Sequence, residues 1–207
     1  MKKGLIAGLG CGAITIIVIA ILVIGSLIFG YNFNNKAVTL NENIGEAWGN
    51  VQTSYQRRND LIGNLVNTVK GAADFERKTL TDVIEARSKA TKTTIDPSNI
   101  TPEQLKQFNE AQGGLSSALS RLLVTVERYP ELKANQNFLK LQDELTSTEN
   151  TIQTARTRYN EAIKPYNVHI KRFPNSLFAG ILNFDEKPYF DAEAGAEKPV
   201  DVKFDFN

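Results

Sequence analysis

The side chains able to do chemistry are few and far apart. His169 is the sole histidine and Cys11 the sole cysteine. A metal centre draws on several His, Cys or carboxylate ligands, so neither residue can build one alone. A carboxylate-rich site inside a helical bundle would use Glu-x-x-His, and that pattern is absent. The phosphate-cradling glycine loop, the G-x-S-x-G nucleophile turn and the dinucleotide glycine pattern are absent as well. The expectation is a non-enzyme with no cofactor and no metal. His169 is expected as a satisfied, half-buried side chain in a bundle groove. Gly113-Gly114 is expected to allow close helix approach.

Three polar sets stand out instead. Arg57, Arg58, Asn59 and Asp60 fill one helical turn. Arg58 falls on an otherwise apolar row, so it must meet a carboxylate or reach water. Glu127 and Glu149 are its candidate partners. Asn135, Gln136 and Asn137 open a long helix, where capping and inter-helix hydrogen bonds are the simplest roles. Asn150, with Gln142, Gln153, Asn160 and Asn167, gives that helix many amides, which set register or accept an extended ligand. Arg156 lies among them.

The elements that position these residues are long helices. Phe138, Leu145, Ile152, Tyr159, Tyr166 and Phe173 recur every seven residues, and Leu141, Thr148, Ala155, Ala162 and His169 repeat three places later. This is a sustained a/d seam, predicting one helix from Tyr129-Pro130 to Phe173-Pro174 with a kink near Pro165. Ile44, Val51, Arg58, Leu65 and Ala72 form a second seam with Trp48, Tyr55, Ile62 and Val69. It predicts a helix from about Leu40 to Lys70, with a bend at Gly71. Thr101-Pro102-Glu103-Gln104 is a capping box with proline at the first helical position, opening a helix to about Arg128. The fold is expected to be all-α: an N-terminal transmembrane helix, then an antiparallel bundle of three to four long helices with coiled-coil-like packing. The seams can close within one chain or between copies, so a homo-oligomer stays open.

No charged residue occurs between Gly4 and Asn35. The apolar centre, Leu5 to Phe29, would be roughly 37 Å long at about 1.5 Å per residue, against a hydrocarbon core of about 30 Å. The membrane bilayer is therefore the expected partner of residues 5–29. A cleaved secretory signal has a shorter apolar region, of about 7–15 residues. A lipidated cysteine would follow the apolar run, whereas Cys11 lies near its start. Lys2 and Lys3 outnumber Lys36 at the span ends, which places the N-terminus in the cytoplasm and the long domain outside it. A formal net charge of +1, without a long basic stripe, gives no reason to expect a nucleic acid partner.

The expected organisation is a cytoplasmic stub and anchor over residues 1–35, a bundle over 36–184, and a flexible acidic tail over 185–207. That tail carries seven acidic and three basic side chains. Before it, Ser176 to Phe184 is apolar and could dock on the bundle or on the membrane surface.

The helix residues carry longer motifs. They include Gln56-Arg57-Arg58-Asn59-Asp60-Leu61-Ile62, Asn64-Leu65-Val66 and Leu122-Leu123-Val124. The longest is Tyr129-Pro130-Glu131-Leu132-Lys133-Ala134-Asn135-Gln136-Asn137-Phe138, and Thr148-Glu149-Asn150, Ala155-Arg156 and Tyr159-Asn160 follow it. In these stretches the chain resembles the LemA family of bacterial membrane proteins, from the N-terminal span to Ala192. Gly63 and Pro165 depart from the family pattern, and both bear on helix bends. The resemblance implies a single-pass protein of the bacterial cytoplasmic membrane with a helical-bundle domain and no established biochemical activity. A relative associated with magnetosome formation implies, by analogy, a role in membrane organisation. The expected function is that of a membrane-anchored scaffold or adaptor with protein partners of unknown identity. The alternative is a membrane-organising or envelope-stress-related protein that contacts lipid directly, with an enzyme the least favoured reading.

Overall fold

The computed structural model describes residues 2–71 and 75–191, the side chains of residues 2–13 and Ser98 excepted. The expectations placed on Ala72, on the side chains of Lys2, Lys3 and Cys11, and on the tail from 192 lie outside the described residues. The helices are α1 (Lys2–Lys70), α2 (Arg77–Lys92), α3 (Pro102–Val126), α4 (Pro130–Lys133), α5 (Gln136–Lys171) and α6 (Asn175–Leu182), with a 3-10 turn at Pro97–Asn99. No strand occurs among the described residues, and the protein is all-α.

The apolar span and the first bundle helix, expected as separate elements, form a single helix α1. Between Phe29 and Leu40 there is no proline. Gly30 costs only about 1 kcal/mol relative to alanine, too little to end a helix. Gly71 follows the end of α1, where its N–H closes a turn onto Thr68 O. At the other joint the expected single helix from Tyr129 is split. α4 is one turn, and the Asn135 side chain restarts the chain by accepting from the N–H groups of Asn137 (2.9 Å) and Phe138 (3.2 Å). α5 then runs through Pro165, which supplies no N–H to Glu161 O. The capping box of α3 forms as read: Gln104 N donates to Thr101 Oγ1 at 3.2 Å, and Thr101 N to Gln104 Oε1 at 3.0 Å.

The chain divides into two compact units, one built from the residues up to 47 with 161–186, the other from 48–160 with the chain from 187. In the second unit the seam residues Ile62, Leu65, Val69, Leu115, Leu122, Phe138 and Leu145 are buried in one core, and α2 packs on α3. Burying each such side chain contributes about 1.5–3 kcal/mol. Trp48 centres an aromatic cluster, with ring centroids 5.5 Å from Phe108, 5.3 Å from Tyr159 and 5.9 Å from Phe190. Phe190 lies where a flexible tail is expected, yet it is fixed. Its N–H donates to Asn160 Oδ1 at 2.8 Å, and Asn160 Nδ2 returns a bond to its carbonyl at 2.9 Å.

In the first unit, Phe33, Ala37, Leu40 and Ile44 of α1, Ile163, Tyr166 and Ile170 of α5, and Ala179 of α6 are buried. Tyr166 donates its hydroxyl to Asp185 O at 3.0 Å, another contact from the expected tail. His169 stacks on Phe33 at 4.9 Å; its Nε2 lies 3.2 Å from Phe33 O and its Nδ1 3.2 Å from Asn175 Nδ2. α6 ends on Asn183 in the left-handed conformation (φ 56°).

Candidate functional site

The second unit carries a cleft of about 700 Å³ lined by residues of α1, α3, α5 and the segment ending at Asp191. At its base Arg58 is 3% exposed. Its position on the seam of α1 forces the guanidinium inward, and the facing helices supply its acceptors. Nη1 donates to Glu149 Oε1 of α5 at 3.1 Å and to Ser116 Oγ of α3 at 3.3 Å, and Nη2 donates to Gln112 Oε1. The cation also lies 4.9 Å from the centre of the Tyr55 ring. Its Nε is buried without a partner. The Glu149 side chain is 46% exposed, so one end of the pair is desolvated and the other faces water.

Arg156 lines the same cleft, with its guanidinium 4.7 Å from the centre of the Phe190 ring and donating to Asp191 O at 3.1 Å. Asn150 and Gln153 of α5 and Asn109 of α3 complete a rim of amides. Gly113 also lines the cleft. A Cβ built on Gly113 or Gly114 meets nothing within 4 Å, so neither glycine serves close helix approach. Open space beside them replaces the expected contact.

The structure therefore brings Arg58, Glu149, Asn150 and Arg156 together. It places the other sequence candidates elsewhere. Arg57 is exposed. Asp60 accepts from Gln56 Nε2 at 3.0 Å and lies 3.9 Å from Arg87. Glu127 pairs with Lys133 rather than with Arg58. Asn135 caps α5, and Asn137 contributes its backbone N–H to that cap while its side chain is exposed. Gln112 and Ser116 were missed as site residues. Gln112 sits on the α3 seam beside Leu119 and Val126, and a polar residue on an apolar row was the available signal. Among the described residues, no group of three or more His, Cys, Asp or Glu side chains could hold a metal ion.

The LemA family pattern matches residues 47–204, most of the chain and the whole of this cleft. The chain belongs to the LemA family. Magnetosome protein MamQ 2 of Paramagnetospirillum magneticum is 28% identical over 86% of this chain and 70% of its own length. MamQ of Magnetospirillum gryphiswaldense is 26% identical over 80% and 67%, respectively. Protein LemA of Metamycoplasma hominis is 27% identical over 88% of this chain and 80% of its own length. None of these is the name of an enzyme. Among the described residues, this LemA-family chain also holds one helical stretch, within α1, long and apolar enough to cross a membrane.

Proposed function

We propose that this protein is a scaffold or adaptor of the bacterial cell envelope, anchored in the cytoplasmic membrane by residues 5–29, with its N-terminus in the cytoplasm and the cleft offered to a protein partner outside it. The observation that carries the reading is the cleft itself. Its floor is the Arg58–Glu149 pair, with the guanidinium buried and the carboxylate half-exposed, and its rim is amide and guanidinium, groups that hydrogen-bond a peptide. They do not include an activated nucleophile beside a base. The exposed apolar side chains from Ile14 to Phe29 suit lipid rather than water. Lys2 and Lys3 set the orientation.

A photo-crosslinking residue at Gln153, on the rim, tests partner docking in cells. The expected result is a discrete adduct that is absent when the same residue replaces Lys92 and that weakens in Arg156→Glu. Identical adducts from both positions, or none from Gln153, contradict the reading.

A role in organising membranes has separate support. Two of the relatives above carry the name of magnetosome proteins, and α6 exposes apolar side chains beside α1.

A further inference from the structure

Within the first unit, α6 presents two unlike faces. The inner face is seated on α1. The Phe178 ring lies 5.2 Å from Phe29 and 6.1 Å from Phe33, and Ala179 is buried. Gly30 lets the ring sit this close, because a Cβ there would lie 3.0 Å from Phe178 Cε1 and the ring would have to shift outward. Phe184 closes edge-on over Phe33 at 5.7 Å. The outer face is apolar and uncovered. Leu177 is 59% exposed and Ile181 74%, four residues apart and so on one side of α6, and Phe173, in the turn before the helix, is 78% exposed. Contiguous apolar surface of this kind marks an interaction site in a folded protein.

The seat fixes where that surface lies along α1. Phe29 ends the apolar centre, and the charge-free run ends at Asn35. If residues 5–29 span the bilayer, as proposed above, Phe29 to Phe33 stand at its boundary with water, and α6 is held at that depth. Arg172, immediately before Phe173, is exposed and suits a lipid phosphate, while Lys171 beside it pairs with Glu186. The exposed apolar surface of α1 from Ile14 to Phe29 continues onto α6 through the Phe29–Phe178 contact.

We propose that α6 is a second membrane contact, lying in the interface with Phe173, Leu177 and Ile181 among the outer acyl chains and its depth set by the seat on Gly30. The occupant of the outer face is lipid of the same leaflet that α1 leaves. This proposal rests on the anchor reading.

The test uses the full chain with Cys11→Ala, reconstituted in phosphatidylcholine–phosphatidylglycerol vesicles. A small fluorophore is attached singly at Ile181→Cys, Ile17→Cys or Lys92→Cys. Quenching is measured with nitroxide lipids labelled either near the headgroup or near the chain end. Ile181→Cys should be quenched by the shallow nitroxide about threefold more than Lys92→Cys, as for a face buried about 5–10 Å deep. Ile17→Cys should be quenched best by the deep nitroxide. Gly30→Val should reduce quenching at Ile181→Cys and leave Ile17→Cys unchanged; equal quenching in that variant overturns the depth assignment. Quenching at Ile181→Cys no higher than at Lys92→Cys, with Ile17→Cys still quenched, overturns the proposal and leaves the anchor standing. A disulfide-linked dimer of the unlabelled Ile181→Cys chain under a mild oxidant in that case assigns the face to a second copy. No quenching at Ile17→Cys overturns the anchor and this proposal with it.

Discussion

Arg58 Nη1 lies 3.1 Å from Glu149 Oε1, joining α1 to α5 through the least exposed guanidinium of the cleft. The two ends of this pair are unequal. Removing Glu149 strands a buried cation, whereas removing Arg58 leaves a half-exposed carboxylate that water can solvate. Glu149→Ala is therefore expected to destabilise the protein by about 3 kcal/mol. Arg58→Met combined with Gln112→Leu removes the charge together with its buried acceptor, and is expected to stay within about 1 kcal/mol of the parent. Urea unfolding of the full chain in detergent, followed by helical circular dichroism, reads both. Equal losses in the two variants would contradict the asymmetry.

Trp48 is the sole tryptophan, is fully buried, and stacks on Phe190 with the rings 15° from parallel. Its fluorescence therefore reports whether the segment around Phe190 is docked. Phe190→Ala should red-shift the emission and cost about 3 kcal/mol, at the low end for a large-to-small core change. An unshifted spectrum would mean that Phe190 does not cover the indole in solution.

The seams were readable because their period is strict. Leu145, Ile152, Tyr159 and Tyr166 recur every seven residues, and all four are buried. Phe173 continues the row and is exposed, because α5 stops at Lys171. Periodicity cannot see where a helix ends. The docking of Asp185 to Asp191 was illegible for a different reason. That segment has no repeat, and it is held by side chains reaching its backbone: Tyr166 to Asp185 O, Asn160 to Phe190 O and Arg156 to Asp191 O. An acidic composition predicted mobility where distant hydrogen-bond partners impose order. At the candidate site, Arg58 announced itself as a charge on an apolar row. Glu149 was one of two nominated partners, and helix register rather than sequence decided between them.

Thr101 closes a capping box at the start of α3. Thr101→Ala is expected to cost about 1 kcal/mol, and Thr101→Gly less, because glycine loses the same hydroxyl but is itself a favourable N-cap residue. Hydrogen exchange should quicken at the first turn of α3 and not at its centre. Unchanged exchange at Gln104 would contradict the cap.

Burial, with the Asp185 carboxylate adding to it, pushes the Tyr166 hydroxyl from its ordinary 10.0 up to about 12. Burial pushes Tyr159 up as well. Below about pH 10 both the folded and unfolded chains keep these protons, so stability is flat. As pH rises from about 10 towards 12 the unfolded phenols ionise first, and stability falls. Tyr166→Phe should shallow that alkaline loss and remove one late-titrating tyrosinate from the absorbance titration. An unchanged slope would contradict the assignment.

The central claim is that α1 holds this chain in the membrane with the Arg58 cleft outside the cytoplasm. It is tested most directly by Lys92→Cys in a Cys11→Ala background, using an impermeant maleimide on intact cells whose outer membrane, where present, has been permeabilised. Lysed cells and a carbonate-washed membrane fraction serve as controls. The account predicts labelling in intact cells and retention of the protein in the washed membranes. Labelling only after lysis, or release by the wash, would contradict it.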